Sequence, residues 1–247
     1  MPSVRKSNNF FNHALNYKSF FPNQVIAFTS DDSVDFKRKR GRFTLSVHQK
    51  SFLLSHSGHD IKELPNTRQI HGERVTIISK KDFGKANQLK LTDGLATKEP
   101  FIPLAVRTAD CLAIFIFDPK SKVIALVHAG WRGTKKKIAQ KAVELLKKKW
   151  KADPKNLRIA FSPSIRSCCY KVGDKLQGYF PKETEYTADG FYLDLPLVNK
   201  HQLLAVGVNE KNIFDCQICT SCDKRFFSYR RQGDESGRMV SVMMLKK

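Results

Sequence analysis

The sequence predicts an α+β protein, a single domain of mixed, largely antiparallel β-sheets flanked by helices. Two observations lead to this prediction. Apolar runs rich in β-branched and aromatic residues follow one another as in hairpins, and segments with a helical repeat alternate with some of them. The 247 residues, 41% of them hydrophobic, are enough to build one large core, so we expect one domain over residues 1–247.

The N-terminal part, residues 1–60, carries the weakest pattern. Residues 25–28 and 43–47 have the composition of short strands, and a charged segment separates them. The next strand is predicted at residues 75–78, and Asp93-Gly94 predicts a turn. We therefore expect the N-terminal part to supply the first strands of the same domain.

A hairpin predicted around residues 112–127 is the most informative segment. Apolar runs at 112–117 and 123–127 flank an Asp-Pro-Lys-Ser-Lys connection. A hairpin symmetric about this connection places Cys111 directly opposite His128, where Cβ atoms lie about 4.5–5.5 Å apart. Such a pair can share a metal ion or form a nucleophile and base couple, although most Cys/His pairs are structural.

Polar residues at both ends of this hairpin favour a functional site. The run before Cys111 is too polar for a strand that enters a core, and a glycine-rich turn with Arg132 follows His128. A catalytic zinc ion typically has three protein ligands and one open position. His71, in the turn before the strand at 75–78, is a candidate for the third ligand.

The second half of the chain continues the alternation of strands and helices. Residues 134–150 repeat apolar positions at helical spacing with lysines on the other face. The first turn of this predicted helix is basic, and Arg132 lies one turn earlier. This helix start could hold a phosphate or could simply be solvated. The remaining predicted elements are strands at 157–161, 191–195 and 239–245, and a helix at 197–206.

The net charge of +21 limits the classes of partner. The densest groups of cations, at residues 37–40, 135–137 and 147–149, fall on different predicted elements. A nucleic-acid-binding protein usually gathers its cations into one stripe or motif. We therefore expect no specific nucleic acid, and favour a lysine-rich surface or attraction to anionic substrates. A basic nucleic-acid-binding module stays open as an alternative.

Compartment and cysteine chemistry follow from what the sequence lacks. No apolar run approaches the length of a membrane span, and the first residues have no apolar signal core, so we expect a cytoplasmic protein with no membrane partner. Six cysteines in that compartment predict thiols or metal ligands. Cys216, Cys219 and Cys222 have the spacing of a metal clip, but a structural zinc ion needs four ligands and no second pair stands nearby in the sequence.

Several segments together resemble one family. They are R-T-A-D-C, V-H-A-G-W-R-G-T, Q-I-H-G, S-P-S-I-R-S-C-C-Y-K-V-G, C-T-S-C and F-F-S-Y-R-R-Q-G-D-E-S-G-R-M. They are similar to the signature blocks of the laccase-domain or polyphenol oxidase-like family, whose members are now regarded as zinc-dependent purine nucleoside phosphorylases and include bacterial peptidoglycan-editing factors. The resemblance runs from about Asn66 to the C-terminus, whereas residues 1–60 diverge from the family pattern.

The resemblance implies that His71, Cys111 and His128 bind Zn²⁺. It implies a phosphorylase acting on adenosine, inosine and methylthioadenosine, with adenosine deaminase activity. Copper is less expected, because a multicopper oxidase also needs paired His-X-His motifs and the seven histidines form none. A metal-free Cys/His hydrolase and an enzyme that edits cell-wall precursors remain alternatives.

Further site residues follow from this reaction. Asp110 is a candidate proton carrier or a residue that orients a ligand histidine, and it completes a catalytic set with Cys111 and His128. Substrate and phosphate contacts are expected from Gln69, Arg107, Arg132 and Arg230. The expected partners are a purine nucleoside and phosphate, bound by a monomer or homodimer.

Overall fold

A computed structural model describes residues 10–11, 13–37, 44–83 and 90–246. In this part of the chain the strands are β1 (Phe10–Phe11), β2 (Ala14–Asn16), β3 (Val25–Ser30), β4 (Thr67–Arg68), β5 (Val75–Ile77), β6 (Lys90–Leu91), β7 (Gly94–Thr97), β8 (Leu104–Thr108), β9 (Leu112–Asp118), β10 (Val123–Ala129), β11 (Arg158–Phe161), β12 (Lys171–Val172), β13 (Thr184–Thr187), β14 (Gly190–Leu193), β15 (Ile213–Asp215) and β16 (Met239–Leu245). The α-helices are α1 (Val47–Ser57), α2 (Trp131–Lys135), α3 (Ile138–Trp150), α4 (Asp174–Tyr179), α5 (Leu195–Ala205) and α6 (Tyr229–Gln232). Among these residues no helix combines the length and apolar character needed to cross a lipid bilayer.

Most strands belong to two sheets. The first has the order β1-β2-β3-β16-β8, and all its neighbouring strands are antiparallel. The second has the order β15-β11-β9-β10-β7-β5, with parallel pairs only at its two edges. Two small sheets, β12-β14-β13 and β4-β6, complete the described strands. The predicted mixed, largely antiparallel arrangement is confirmed.

The two large sheets share a core, and helices cover their outer faces. Strand β9 shows how this works, because it is buried on both sides. Phe115 packs in a cluster with Leu104 of the first sheet, whereas Ile116 packs in a different cluster with Leu146 of α3. Leu53 of α1 lies in the cluster on the far side of the first sheet. The layers are therefore helix, sheet, sheet and helix, which explains why the runs 112–117 in β9 and 123–127 in β10 are apolar on both faces.

The predicted hairpin is present as β9 and β10, but its register differs by two residues. His128 pairs with Ala113, so Cys111 lies just before the paired region and not opposite His128. The cause is Asp118, which is the last paired residue of β9 and whose carboxylate accepts hydrogen bonds from Lys120 and Ser121 in the loop. Because side chains alternate along a strand, a shift of two residues leaves them on the same face.

The prediction of a strand at residues 43–47 is wrong for Val47, and Phe43 lies outside the described residues. Val47 begins α1 instead. Ser46 caps this helix, since its side chain accepts from the Gln49 backbone while the Gln49 side chain accepts from the Ser46 backbone. A capping box of this kind satisfies two backbone N–H groups that a helix start leaves open.

The helix expected at residues 134–150 is two helices. Helix α2 begins earlier, at Trp131, and Lys137 adopts a left-handed conformation, with φ of 60°, before α3 begins at Ile138. The lysine run therefore ends one helix and starts another. The amphipathic face predicted for the longer segment is kept by α3, which buries Ile138, Ala142 and Leu146.

The other sequence-based elements are confirmed with small differences in their ends. Strand β16 has the predicted bounds, and β3, β5, β11 and β14 cover the four remaining predicted strands. Helix α5 begins two residues earlier than predicted. Asp194 caps it by accepting from the Leu197 backbone, and Pro196 occupies its first turn, where a missing N–H costs nothing.

Replacing Phe115 with alanine should lower the free energy of unfolding by about 3–5 kcal/mol, because it opens a cavity in the core shared by both sheets. Urea denaturation followed by circular dichroism measures the change. The matched control is Tyr186→Ala, since this aromatic side chain is 76% exposed and its loss should cost less than about 0.5 kcal/mol. Equal effects of both substitutions would contradict this account of the core.

Candidate metal centre

His71, Cys111 and His128 meet where β9 begins and β10 ends, at one end of the central strands of the six-stranded sheet. His128 lies near the end of β10, Cys111 directly precedes β9, and His71 lies in the loop before β5. One ligand atom from each residue lies within 4.8 Å of those from the other two. The two imidazole rings are 4.8 Å apart and inclined by 78°. His128 is buried, Cys111 is half-buried and His71 is exposed, so the cluster opens to one side.

A buried carboxylate, Asp93, holds the two histidines in place. Its Oδ1 accepts from Nδ1 of His128 at 2.8 Å and from the backbone N–H of His71 at 2.9 Å. Its Oδ2 accepts from the backbone N–H groups of Ile70 and Gly72 at 3.2 and 2.7 Å. Because Nδ1 of His128 donates to Asp93, Nε2 is left as the ligand atom, as is usual for histidines that bind metals.

The charges in the cluster favour a cation. Burial raises the pKa of the Cys111 thiol, but the charge and hydrogen bonds of His128 and His71 outweigh this and bring the pKa to about 6. Burial lowers the pKa of His128, but Cys111 and Asp93 raise it to about 9. The protein thus stabilises a thiolate with positive charge beside it. A metal ion can supply that positive charge in place of the proton.

Gly130 makes room for the cluster. A Cβ atom at this position would lie 2.9 Å from Sγ of Cys111 and 3.1 Å from Cδ2 of His71. His71 itself has a left-handed backbone, with φ of 56°, and its amide is fixed by Asp93. The donors are therefore arranged by backbone constraints and not only by their own side-chain contacts. The His₂Cys donor set, with an oriented histidine and a thiolate, fits a transition metal ion.

The cluster opens into a cavity of about 740 Å³, which is a usual size for a small-molecule site. The structure brings all the sequence-predicted site residues to this cavity, and the residues that line it include Gln69, His71, Arg107, Asp110, Cys111, His128, Arg132 and Arg230. Their separate roles remain predictions. Aromatic and apolar groups that the sequence analysis did not assign also line it, namely Trp131, Ile165, Tyr170, Leu195 and Tyr229.

Gln69 uses its side-chain amide to bind the protein backbone. The amide donates to the carbonyl of Arg107 and accepts from its N–H group, both at 2.8 Å. This reciprocal pair fastens the loop that carries His71 to the end of β8.

Asp110 is fixed by bonds that lead away from the histidines. Its Oδ1 accepts from the hydroxyl of Thr220 at 2.7 Å, and its Oδ2 accepts from the backbone N–H of Arg230 at 2.6 Å. Its backbone is left-handed, with φ of 81°, a conformation that is strained for residues other than glycine. The orienting contact to His128 comes from Asp93 and not from Asp110.

Asp93 is the functional residue that the sequence analysis missed. The Asp-Gly pair is typical of a turn, and here it stands directly before β7, a strand whose four residues are all buried. An acidic residue at the entry to a buried strand must have several hydrogen-bond donors around it. An acidic residue directly before a buried strand could therefore have marked Asp93 in the sequence. Which groups donate hydrogen bonds to it depends on the tertiary fold and could not be predicted.

The fold and the cluster define a class of α+β proteins with a metal-capable His₂Cys cluster at the ends of two central strands. The chain belongs to the family described as multi-copper polyphenol oxidoreductase laccase, whose sequence model matches residues 32–246. The family resemblance seen in the sequence motifs is therefore confirmed.

Curated relatives of this chain carry two names. A protein named purine nucleoside phosphorylase YlmD, from Geobacillus stearothermophilus, is 37% identical over 190 residues, which cover 71% of this chain and 69% of that protein. A protein named adenosine deaminase RL5, from an unknown prokaryotic organism, is 35% identical over 204 residues, covering 76% of this chain and 78% of that protein. The crystal structure of YlmD from Geobacillus stearothermophilus superposes with a TM-score of 0.83 at 27% identity, covering 96% of this chain and 97% of that one.

Asp93→Asn should weaken metal binding by roughly 10–100-fold, because an amide nitrogen would face N–H donors that now meet a carboxylate. Competition with a chelator measures the affinity. Asp118→Asn is the matched control, since Asp118 is equally buried and accepts several hydrogen bonds at the far end of the hairpin. Equal losses of affinity in both variants would show that Asp93 acts only through general stability.

Gly130→Ala should also reduce metal binding, since the added methyl group meets the Cys111 sulfur and the His71 ring. We expect a loss of at least about tenfold in affinity while the protein stays folded. Gly178→Ala is the control, because a Cβ there has no neighbour within 4 Å. Unchanged metal affinity in Gly130→Ala would show that the donors do not need the close approach at this glycine.

Proposed function

We propose that this chain is a zinc-dependent purine nucleoside phosphorylase that acts on adenosine, inosine and methylthioadenosine and also deaminates adenosine. The observation that carries the proposal is the His71, Cys111 and His128 cluster, oriented by Asp93 and open to a cavity. The names of the two relatives, one a phosphorylase and one a deaminase, support the same chemistry.

The charge of the cavity suits phosphate. Among the described residues that line it, Asp110 alone carries a carboxylate, and both oxygens of that group already accept hydrogen bonds. The cationic side chains of the lining are Lys37, Arg68, Arg107, Arg132, Arg230 and Arg238. Guanidinium groups bind phosphate oxygens with two parallel hydrogen bonds, and we assign this role to Arg132 and Arg230.

The aromatic part of the lining suits a purine base. Trp131, Tyr170 and Tyr229 offer ring faces beside the metal cluster. Arg132 lies 4.3 Å from the ring centre of Trp131, and Arg230 lies 5.5 Å from that of Tyr170. Each proposed phosphate ligand therefore has an aromatic neighbour, so a base and an anion could bind side by side.

The donor set favours zinc. Three protein ligands with an open side are typical of catalytic zinc, and the chain has no paired His-X-His motif for a copper cluster. A zinc ion in such a site supplies a Lewis acid and lowers the pKa of a bound water toward about 7, which is the chemistry that deamination needs.

The protein residues supply position and charge for both reactions. In phosphorolysis, phosphate attacks the sugar carbon that carries the base, and the products are the free base and a sugar 1-phosphate. Arg132 and Arg230 hold the attacking anion, and Asp110 acts as a positioning residue because it fixes the Arg230 backbone beside Cys111. Deamination needs no phosphate, so the two reactions should depend on these arginines to different degrees.

A metal-free Cys/His hydrolase is the second candidate. The low pKa of Cys111, about 6, and the raised pKa of His128, about 9, are those of a nucleophile and base couple. Chelation separates the two possibilities. A zinc enzyme loses activity when the ion is removed, and its bound thiolate resists iodoacetamide, whereas a thiol hydrolase stays active and is alkylated readily.

The reaction is tested by incubating the purified, zinc-loaded protein with adenosine in the presence and absence of phosphate and resolving the products. Adenine that requires phosphate, with inosine that does not, is the expected result. A nucleoside panel and a cell-wall precursor peptide, run in parallel, separate purine metabolism from cell-wall editing. Absence of any purine product from zinc-loaded protein would overturn the proposal.

Arg132→Gln should lower kcat/KM for phosphorolysis by about 10–100-fold, the effect of losing one charge-assisted contact of about 1.5–3 kcal/mol. Deamination should change by less than about threefold, because no phosphate takes part. Product analysis at varied phosphate concentration measures both rates. Lys149→Ala is the control, since it removes an exposed cation that does not line the cavity. Equal loss of both activities would contradict the assignment of Arg132 as a phosphate ligand.

A further inference from the structure

Four cysteines from two distant segments meet at a second place in the fold. Cys168 and Cys169 follow β11, and Cys219 and Cys222 follow β15. One sulfur from each of the four lies within 4.8 Å of the other three. No second pair of cysteines stands near Cys216, Cys219 and Cys222 in the sequence, but the fold places Cys168 and Cys169 beside Cys219 and Cys222. Cys216, the first of the three C-terminal cysteines, is not a member of the cluster.

Three of the sulfur separations are at or somewhat below the value expected for a tetrathiolate metal site, and all four sulfurs lie within 4.8 Å of one another. A tetrahedral centre with metal–sulfur bonds of about 2.3 Å places its sulfurs about 3.8 Å apart. Cys168 lies 3.8 Å from Cys169 and 3.5 Å from Cys222, and Cys169 lies 3.2 Å from Cys222. None of the six cysteines, all of which lie among the described residues, forms a disulfide.

The backbone around the cluster is fixed independently of any ion. Ser164 and Cys219 form a parallel bridge that joins the two segments, with hydrogen bonds from Ser164 to Ile218 and from Thr220 to Ser164. The loop from Cys219 to Cys222 closes with a bond from the Asp223 N–H to the Cys219 carbonyl at 2.9 Å. Two cysteines three residues apart on a tight turn are typical of structural zinc sites.

Backbone N–H groups also point at one of the sulfurs. The sulfur of Cys219 receives hydrogen bonds from the backbone N–H groups of Cys222, Arg166 and Ser221. Such bonds orient a thiolate and are typical of the surroundings of a metal-bound sulfur.

We propose that Cys168, Cys169, Cys219 and Cys222 bind a second zinc ion, distinct from the His₂Cys centre, which ties the segment after β11 to the segment after β15. The second site stands independently of the reaction proposed above. It lies close to the first, because Thr220, between two of its ligands, donates to Asp110, the neighbour of Cys111. Because none of the four cysteines lines the cavity, the second ion would support Asp110 through Thr220 without contacting substrate.

The metal content of anaerobically purified protein tests the proposal. We expect two zinc ions per chain in the unmodified protein and one in the His71→Ala, Cys111→Ser double variant, which lacks the first centre. After replacement of zinc with cobalt, that double variant should show the intense visible absorption of tetrahedral thiolate coordination. A double variant that binds no metal, or that binds copper only, would overturn the proposal, as would a disulfide among the four cysteines found by mass analysis of the unmodified protein.

Single substitutions then assign the ligands. Cys222→Ser changes an exposed ligand and should reduce the zinc content of the unmodified protein from two ions to one, while Cys216→Ser, the matched control, should keep both. Chelation of the double variant should lower its melting temperature, because the remaining ion stabilises only the folded chain. If Cys222→Ser fails to fold, the metal count and cobalt spectrum of the double variant still decide the question. Two ions in Cys222→Ser would contradict the assigned ligand set.

Discussion

The carboxylate of Asp93 is the constraint on which the cluster of His71, Cys111 and His128 depends. It is almost fully buried, and four donors from two parts of the chain converge on its two oxygens. Burial alone would raise the pKa of Asp93, but the hydrogen bond from His128 and those from the backbone lower it overall. The group therefore stays charged inside the protein, where it fixes the loop of His71 and the ring of His128 together. Removing either partner would leave a buried charge with too few donors.

The sheet provides the frame for this arrangement. Strands β7, β9 and β10 are neighbours in the order β9-β10-β7, and Asp93, Cys111 and His128 lie at the same end of these strands. Because both faces of the sheet are packed, against the other sheet and against α3, the strand ends are where polar groups can reach solvent. The two-residue error in the hairpin register did not disturb the prediction of the cluster, since it preserved the face on which the side chains lie.

The sequence predicts the fold well where the apolar pattern is long, and less well where the conformation or capping contact of one residue decides where a helix begins. Strand β16 and the hairpin follow from continuous apolar runs, and their bounds are close to those predicted. The start of α1 depends on one capping box at Ser46, and the break before α3 depends on one left-handed residue, Lys137. The four-cysteine cluster could not be read from spacing, because its two halves are brought together by the pairing of β11 with β15 and by the bridge between Ser164 and Cys219.

The hydrogen bonds accepted by Asp93 favour a metal centre over a nucleophile and base couple. A nucleophile and base couple needs only Cys111 and His128, with a carboxylate behind the histidine. Here the same carboxylate also accepts from the backbone N–H groups around His71, and His71 adopts a left-handed backbone. A nucleophile and base couple does not need the exposed His71 side chain, which is held here in a strained left-handed conformation. A metal ion would use it as a third ligand. The low pKa of the Cys111 thiol agrees with this, because the neighbours that stabilise a thiolate beside an imidazolium also prepare it to bind a cation.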